Sequence, residues 1–143
     1  MNAKTDLLAR SLLRPGCFDG QAEAWAKRIP HDEPGDFAEF LRDRVANGSA
    51  QLADMVTDGQ RVGFCVYAVV DLTGEQELVV IAAFGRAPAR DLTAEFLPQI
   101  EVLARSEGCV SIRFHTMRPG LVSKAIRAGC RVSEVIIRKT VSL

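Results

Sequence analysis

Residues 75–115 read EQELVVIAAFGRAPARDLTAEFLPQIEVLARSEGCVSIRFH. The run from Leu78 to Phe84 contains no polar residue, which predicts a strand covered on both faces. Gly85-Arg86-Ala87-Pro88-Ala89-Arg90-Asp91 breaks that run with glycine and proline and forms a crossover loop. Leu92, Phe96, Ile100, Leu103 and Ala104 then recur at helical spacing, with Asp91 placed to cap the helix and Gly108 to stop it. Pro98 falls inside this pattern and must either kink the helix or open one that begins there. Val110, Ile112 and Phe114 alternate with Ser111, Arg113 and His115, the period of a strand.

The same alternation continues downstream. Pro119 opens a short helix carrying Leu121, Val122, Ala125 and Ile126, Gly129 closes it, and Val132 to Val141 reads as a final strand. Upstream, residues 50–57 end at Asp58-Gly59, a hairpin signal, and the apolar run between Arg61 and Asp71 ends near a second turn at Thr73-Gly74. Strands joined by tight turns, followed by helix–strand alternation, predict a mixed sheet of about six strands with helices on both faces. The first 48 residues are helical in pattern. Leu7, Leu8 and Leu12 form one apolar stripe, and Trp25, Ala26 and Ile29 a second. A third helix, capped by Asp36, carries Phe37, Phe40, Leu41 and Val45 and ends before Gly48.

A chain of 143 residues suits one domain, residues 1–143, with a helical part at 1–48 and the sheet and crossover helices at 49–143. Hydrophobic residues make up 48% and charged residues 25%, as in ordinary globular proteins. The formal net charge is zero, so the whole chain has no polyanion-binding signature. The stretch from Arg113 to Leu143 has seven basic residues and one acid, Glu134. That run could contact nucleic acid, but a solvated face is the commoner outcome, and the stretch lacks an aromatic stacking platform. Cys17, Cys65, Cys109 and Cys130 have no metal-ligand spacing with one another or with His31 and His115, so no metal is expected. No apolar run is long enough to span a membrane and no signal peptide pattern is present, so a cytoplasmic, reduced protein is expected.

From residue 50 onward the order of elements resembles the GNAT superfamily of acyl-CoA-dependent N-acyltransferases, and more closely its small phage and prophage members. The pieces that carry the likeness are the three-strand meander, the helix ending Leu103-Ala104-Arg105-Ser106-Glu107-Gly108-Cys109, and the segment from Met117-Arg118-Pro119-Gly120-Leu121 to Ala128-Gly129-Cys130. The resemblance implies an α/β (mixed α+β), GNAT-like three-layer fold. It implies acetyl-CoA or another acyl-CoA as cofactor, with the pantetheine chain paired to the strand edge near Ile81, Ala82, Ala83 and Phe84. In that superfamily a glycine-containing loop after this strand binds the pyrophosphate through backbone N–H groups and the following helix end. Alignment on Ala104 and Gly108 puts Pro88, Asp91 and Thr93 at the positions of the superfamily's arginine and two glycines. The loop is therefore degenerate. Pro88 has no N–H, and Asp91 brings negative charge to the helix end. The tyrosine that often protonates the leaving thiolate is replaced by Ala125, and the only tyrosine, Tyr67, lies within an apolar strand.

For chemistry, Glu77 stands early in the strand that often carries a general base, and a buried carboxylate there could deprotonate an amine; two acids beside a turn more often face water. His115 ends a strand on the carboxyl side of the sheet, where ligands bind in α/β proteins, yet lone histidines are usually surface residues. Arg86 and Arg90 flank the crossover and Arg118 starts the last helix; all three are candidates for ligand contact. The sequence thus supports an acyl-CoA-dependent N-acyltransferase, or a non-catalytic phage-derived structural or assembly protein on the same fold. It does not specify the acceptor, and leaves a protein partner or homo-oligomer open.

Overall fold

The computed structural model describes residues 11–142. Strand β1 (Ser11–Pro15) is followed by helices α1 (Gly20–Ala26) and α2 (Phe37–Ala46). The meander β2 (Gln51–Thr57), β3 (Gln60–Leu72) and β4 (Glu75–Gly85) comes next, then α3 (Leu92–Ser106), β5 (Ser111–Phe114) and α4 (Pro119–Arg127). The sheet runs in the order β1-β2-β3-β4-β5. Its first four strands are antiparallel, and β5 joins β4 in parallel.

Local chemistry accounts for the boundaries. Both hairpins turn through two residues of positive φ, Asp58-Gly59 and Thr73-Gly74, as the twist of paired strands demands. Asp19, Asp36 and Asp91 each accept a backbone N–H from the first turn of α1, α2 and α3, from Ala22, Glu39 and Ala94 respectively. Helix α3 begins six residues before Pro98 and continues through it, so Pro98 does not open the helix.

Strand β4 shifts phase at a bulge. Val66 pairs with Ala82 but the next residue, Tyr67, pairs with Val80, leaving Ile81 as the extra residue. Leu78 and Val80 therefore join Cys65, Ala104 and Ile100 in a core beneath α3. Ala82 and Phe84 join Phe64, Val66, Leu41 and Trp25 in a second core beneath α1 and α2. Both faces of β4 are used, though Val79 and Ile81 are only half-buried and Ala83 is exposed.

Two side chains tie the periphery to these layers. Gln99 of α3 bonds the edge of β1, accepting the Leu13 N–H at 2.8 Å and donating to the Ser11 carbonyl at 2.6 Å. Arg61 of β3 lies 2.9 Å from Asp54 and donates to the cap residue Asp19 at 2.7 Å, with its guanidinium 5.3 Å from the Trp25 ring centre. The hydrogen bond from Arg61 is the main reason the Asp19 carboxyl sits below the usual carboxylate range.

Three expectations are corrected. Val132 to Val141 is not a strand: residues 130–142 are without regular structure, and Val135, Ile137 and Val141 are 80%, 90% and 75% exposed. β-branched residues favour a strand only where a partner edge and a covered face receive them, and this segment is held instead through side chains, Glu134 to Arg113 and Arg138 to Asp32 and Glu33. The sheet accordingly has five strands among the described residues. Leu12 belongs to β1 rather than to a helix, because Ser11–Pro15 pairs with β2, so residues 1–48 are not wholly helical; Leu7 and Leu8 lie outside the described residues. Ile29 lies past the end of α1, although it still packs on the first core.

Gly63 fixes how closely β3 and β4 approach. A Cβ there would stand 2.0 Å from the Phe84 carbonyl oxygen and 2.7 Å from the Gly85 Cα, both backbone atoms that cannot swing aside. Gly63→Ala is expected to destabilise the domain by about 1–3 kcal/mol. Gly120→Ala, at a helical position with open space around it, should raise stability slightly. Thermal melts of the two variants beside the parent chain check both signs.

Candidate functional site

The bulge and the parallel pair together open the sheet. Strand β5 follows β4 only from Glu77↔Ser111 to Val80↔Phe114. Beyond Val80, β4 continues through Ile81, Ala82, Ala83, Phe84 and Gly85 with no strand on that side among the described residues. The backbone groups on that side of β4 are therefore available to an extended ligand. A groove of about 1710 Å³ runs past this edge, between α3, α4 and the loop after α1.

The proposed cofactor-contacting residues Ile81 to Phe84, Arg90 and Thr93 line this groove, and Arg86 stands exposed where the crossover begins. His115 follows the last paired residue of β5, so it stands at the opening and lines the groove. Glu77 also borders the groove but sits at the opposite end of the β4–β5 pair. Its carboxylate is clamped, accepting the Ser111 hydroxyl at 2.8 Å and lying 3.1 Å from Arg113 Nε. That placement differs from a solvated charge beside a turn, and equally from a base beside the open edge. The positions next to the bulge residue Ile81 are Val80 and Ala82.

The crossover neutralises itself. Asp91 caps α3 and Glu95 adds a second carboxylate in the first turn. Arg90 is committed to Glu95 through two nitrogens, with Nε at 3.0 and 3.2 Å from its oxygens, and reaches Asp58 at 3.4 Å. The Glu95 contact is the main cause of the raised Arg90 pKa. Arg86 donates its backbone N–H to the Val62 carbonyl at 2.8 Å, so that amide too is spoken for. The N-terminus of α3 thus already carries carboxylates where a phosphate would bind, which opposes a second anion.

Arg118 takes a different position. It is the N-cap residue of α4, which has no side-chain cap and no acid in its first turn. Its guanidinium lies 6.0 Å from the Phe84 ring centre. Arg28, which sequence reading passed over, lies 5.2 Å from the same ring. Nothing in the sequence marked it, because a basic residue between a short helix and Pro30 looks like an ordinary surface charge. Elsewhere the basic C-terminal stretch is partly balanced, Arg113 by Glu77 and Glu134, and Arg138 by Asp32 and Glu33.

Three of the four cysteines, Cys65, Cys109 and Cys130, are buried or partly buried, whereas Cys17 is exposed. Cys65 is buried in the core beneath α3, and burial pushes its thiol up to about 12. Burial also raises Cys109 and Cys130. Tyr67 packs on the same core, and burial, followed by charge from Cys65 and Glu107, raises its pKa. It stands in the paired part of β3 rather than at the open edge. No group of three or more metal-ligating side chains occurs among the described residues, and none of the described helices is long and apolar enough to cross a membrane.

The sequence matches no protein-family model and no curated protein. The fold, by contrast, matches solved structures over almost the whole chain. A possible acetyltransferase from Clostridium difficile 630 superposes with a TM-score of 0.67 at 9% identity, covering 94% of this chain and 99% of that one. An aminoglycoside N-acetyltransferase in complex with CoA gives 0.64 at 12% identity, covering 91% and 94%. A transcriptional regulator from Bacillus halodurans gives 0.67 at 15% identity, covering 92% and 99%. The architecture is therefore a GNAT-like fold. At these identities the likeness establishes the fold, and proteins titled for different roles share it.

Alkylation gives a direct check on the thiol environments. With iodoacetamide at pH 8, exposed Cys17 is expected to be modified in the folded protein while Cys65 stays unmodified until the chain is unfolded, as read by peptide mass spectrometry.

Proposed function

We propose that the chain takes an acyl-CoA along the open edge of β4 and transfers its acyl group to an amine, with a weakened grip on the cofactor's pyrophosphate. The observation that carries this reading is the β5-side edge of Ile81–Gly85, which no described strand pairs beyond the last β4–β5 pair while β3 pairs the other side. An acyl-CoA would supply an activated thioester carbonyl. The residues of β4 fit the amide-bearing arm, because backbone N–H and C=O groups accept it whatever the side chains. The crossover fits the pyrophosphate poorly, since Asp91 and Glu95 already charge the end of α3 and Arg90 is held by Glu95 and Asp58. His115, at the mouth of the opening, is the side chain placed to take a proton from an incoming amine; Glu77 would act at most through its contact with Arg113.

A second reading is favoured by that same self-neutralised crossover. The chain would be a non-catalytic, phage- or prophage-derived assembly module that keeps the fold and has lost the phosphate cradle. The cofactor separates the two. Millimolar acetyl-CoA is expected to raise the melting temperature by a few degrees and to slow amide exchange at residues 81–85. Asp91→Ser keeps a cap while removing charge, and should tighten acetyl-CoA about two- to fivefold. An unchanged melting temperature together with unchanged exchange would leave the assembly reading standing.

A further inference from the structure

Two cations are held over one aromatic ring beside the groove. Arg28 comes from the turn after α1 and Arg118 from the start of α4, 90 positions apart in the chain, and both guanidinium carbons lie within 6.0 Å of the Phe84 ring centre. Phe84 is 6% exposed and stacks on Trp25, with ring centres 5.7 Å apart and planes inclined by 24°. The ring's π-system attracts each cation but supplies no net charge. No carboxylate does so either: among the described residues neither guanidinium is in an ion pair, and α4 has no acid in its first turn. Most other arginines facing the sheet or groove do have such partners, Arg61, Arg90, Arg113 and Arg138 among them. Phe84 and Arg118 line the groove, as do Ile29 and Pro30, which directly follow Arg28.

We infer that Arg28 and Arg118, over the floor made by Phe84, form a binding site for an oxyanion group, a carboxylate or phosphate carried by a ligand lying in the groove. Guanidinium forks match both groups through paired N–H donors, and an anion would supply the counter-charge that both cations lack among the described residues. The site is built from β4, α4 and the turn after α1 rather than from the end of α3 where a pyrophosphate would be sought, so it stands whether or not acyl transfer occurs. Two sources share the chemistry: an anionic acceptor, or an acyl group that itself ends in a carboxylate.

Calorimetric titration with glutarate, with inorganic phosphate and with neutral glutaramide at fixed ionic strength tests the site. Trp25, the only tryptophan, stacks on Phe84 and reports the place of binding through its emission. Glutarate or phosphate is expected to bind saturably with a parallel emission change, glutaramide not to bind, and Arg28→Gln or Arg118→Gln to weaken binding at least tenfold. Arg118→Lys should retain part of the affinity, which a purely structural role for the guanidinium would not predict. Should Arg118→Gln lower the melting temperature, Arg28→Gln, at an exposed position, carries the test alone. No anion binding, or binding that survives both substitutions, overturns the proposal. Glutaryl-CoA binding more tightly than acetyl-CoA, with the difference erased by Arg118→Gln, assigns the oxyanion to the acyl group; thioesters that do not differ assign it to the second ligand.

Discussion

A single extra residue in β4 organises this molecule. Leu78, Val80, Ala82 and Phe84 are spaced two apart, and in an unbroken strand all four would face one side. The bulge at Ile81 reverses the phase, so the first pair lies beneath α3 and the second beneath α1 and α2. One strand thereby serves as the spine of two cores. Strand β3 has its extra residue, Val62, outside this region, and Phe64, Cys65, Val66 and Tyr67 alternate regularly between the same two cores. The pairing with β5 stops at Val80, the residue before the bulge, as expected if the local bend turns β4 away from its parallel neighbour. The open edge and the division of the core thus have one origin.

Charge is distributed around that opening in two contrasting ways. On the α3 side the helix end is answered from within the chain by Asp91 and Glu95, and Arg90 by Glu95 and Asp58, while the exposed Arg86 side chain is left without a counter-charge among the described residues. On the α4 side the helix end carries neither a cap nor an acid, and two guanidiniums share one ring. Helix ends and arginines have the same intrinsic preference for anions in both places. Only local counter-charge separates them. The start of α4 is therefore less counter-charged than the start of α3, a reversal of what the element order alone suggests.

Much of this was legible in the chain. Asp58-Gly59 and Thr73-Gly74 marked both hairpins because few residues tolerate the positive φ those turns need. Asp36 and Asp91 marked helix starts because a short carboxylate is the natural acceptor for first-turn N–H groups. The strand β4 was legible and its bulge was not. A run without polar residues carries no phase, so a reversal inside it leaves no trace in the pattern. The segment from Val132 failed for the opposite reason: its residues have strand propensity, but propensity without an edge and a cover does not make a strand. Arg28 was invisible because its significance lies in a neighbour from the start of α4, a relation that only the folded chain creates.

Phe84 belongs to the core and to the groove at once, and that double membership bears on what the groove can do. Its ring is buried against Trp25, whose other contacts include Phe64 and the guanidinium of Arg61. Arg61 in turn is fixed by Asp54 and by the cap of α1. A column of rings and cations therefore runs from the Asp54–Arg61 ion pair of β2 and β3 to the wall of the groove. Residues packed in this way have little freedom to move, since interiors are as dense as organic crystals. Cations resting on such a floor lose less conformational entropy on meeting a ligand than cations on flexible loops would. The same aromatic contacts that hold α1 on the sheet thus preorganise the surface beside the open edge, and a substitution that loosens Phe84 would be felt first in the groove.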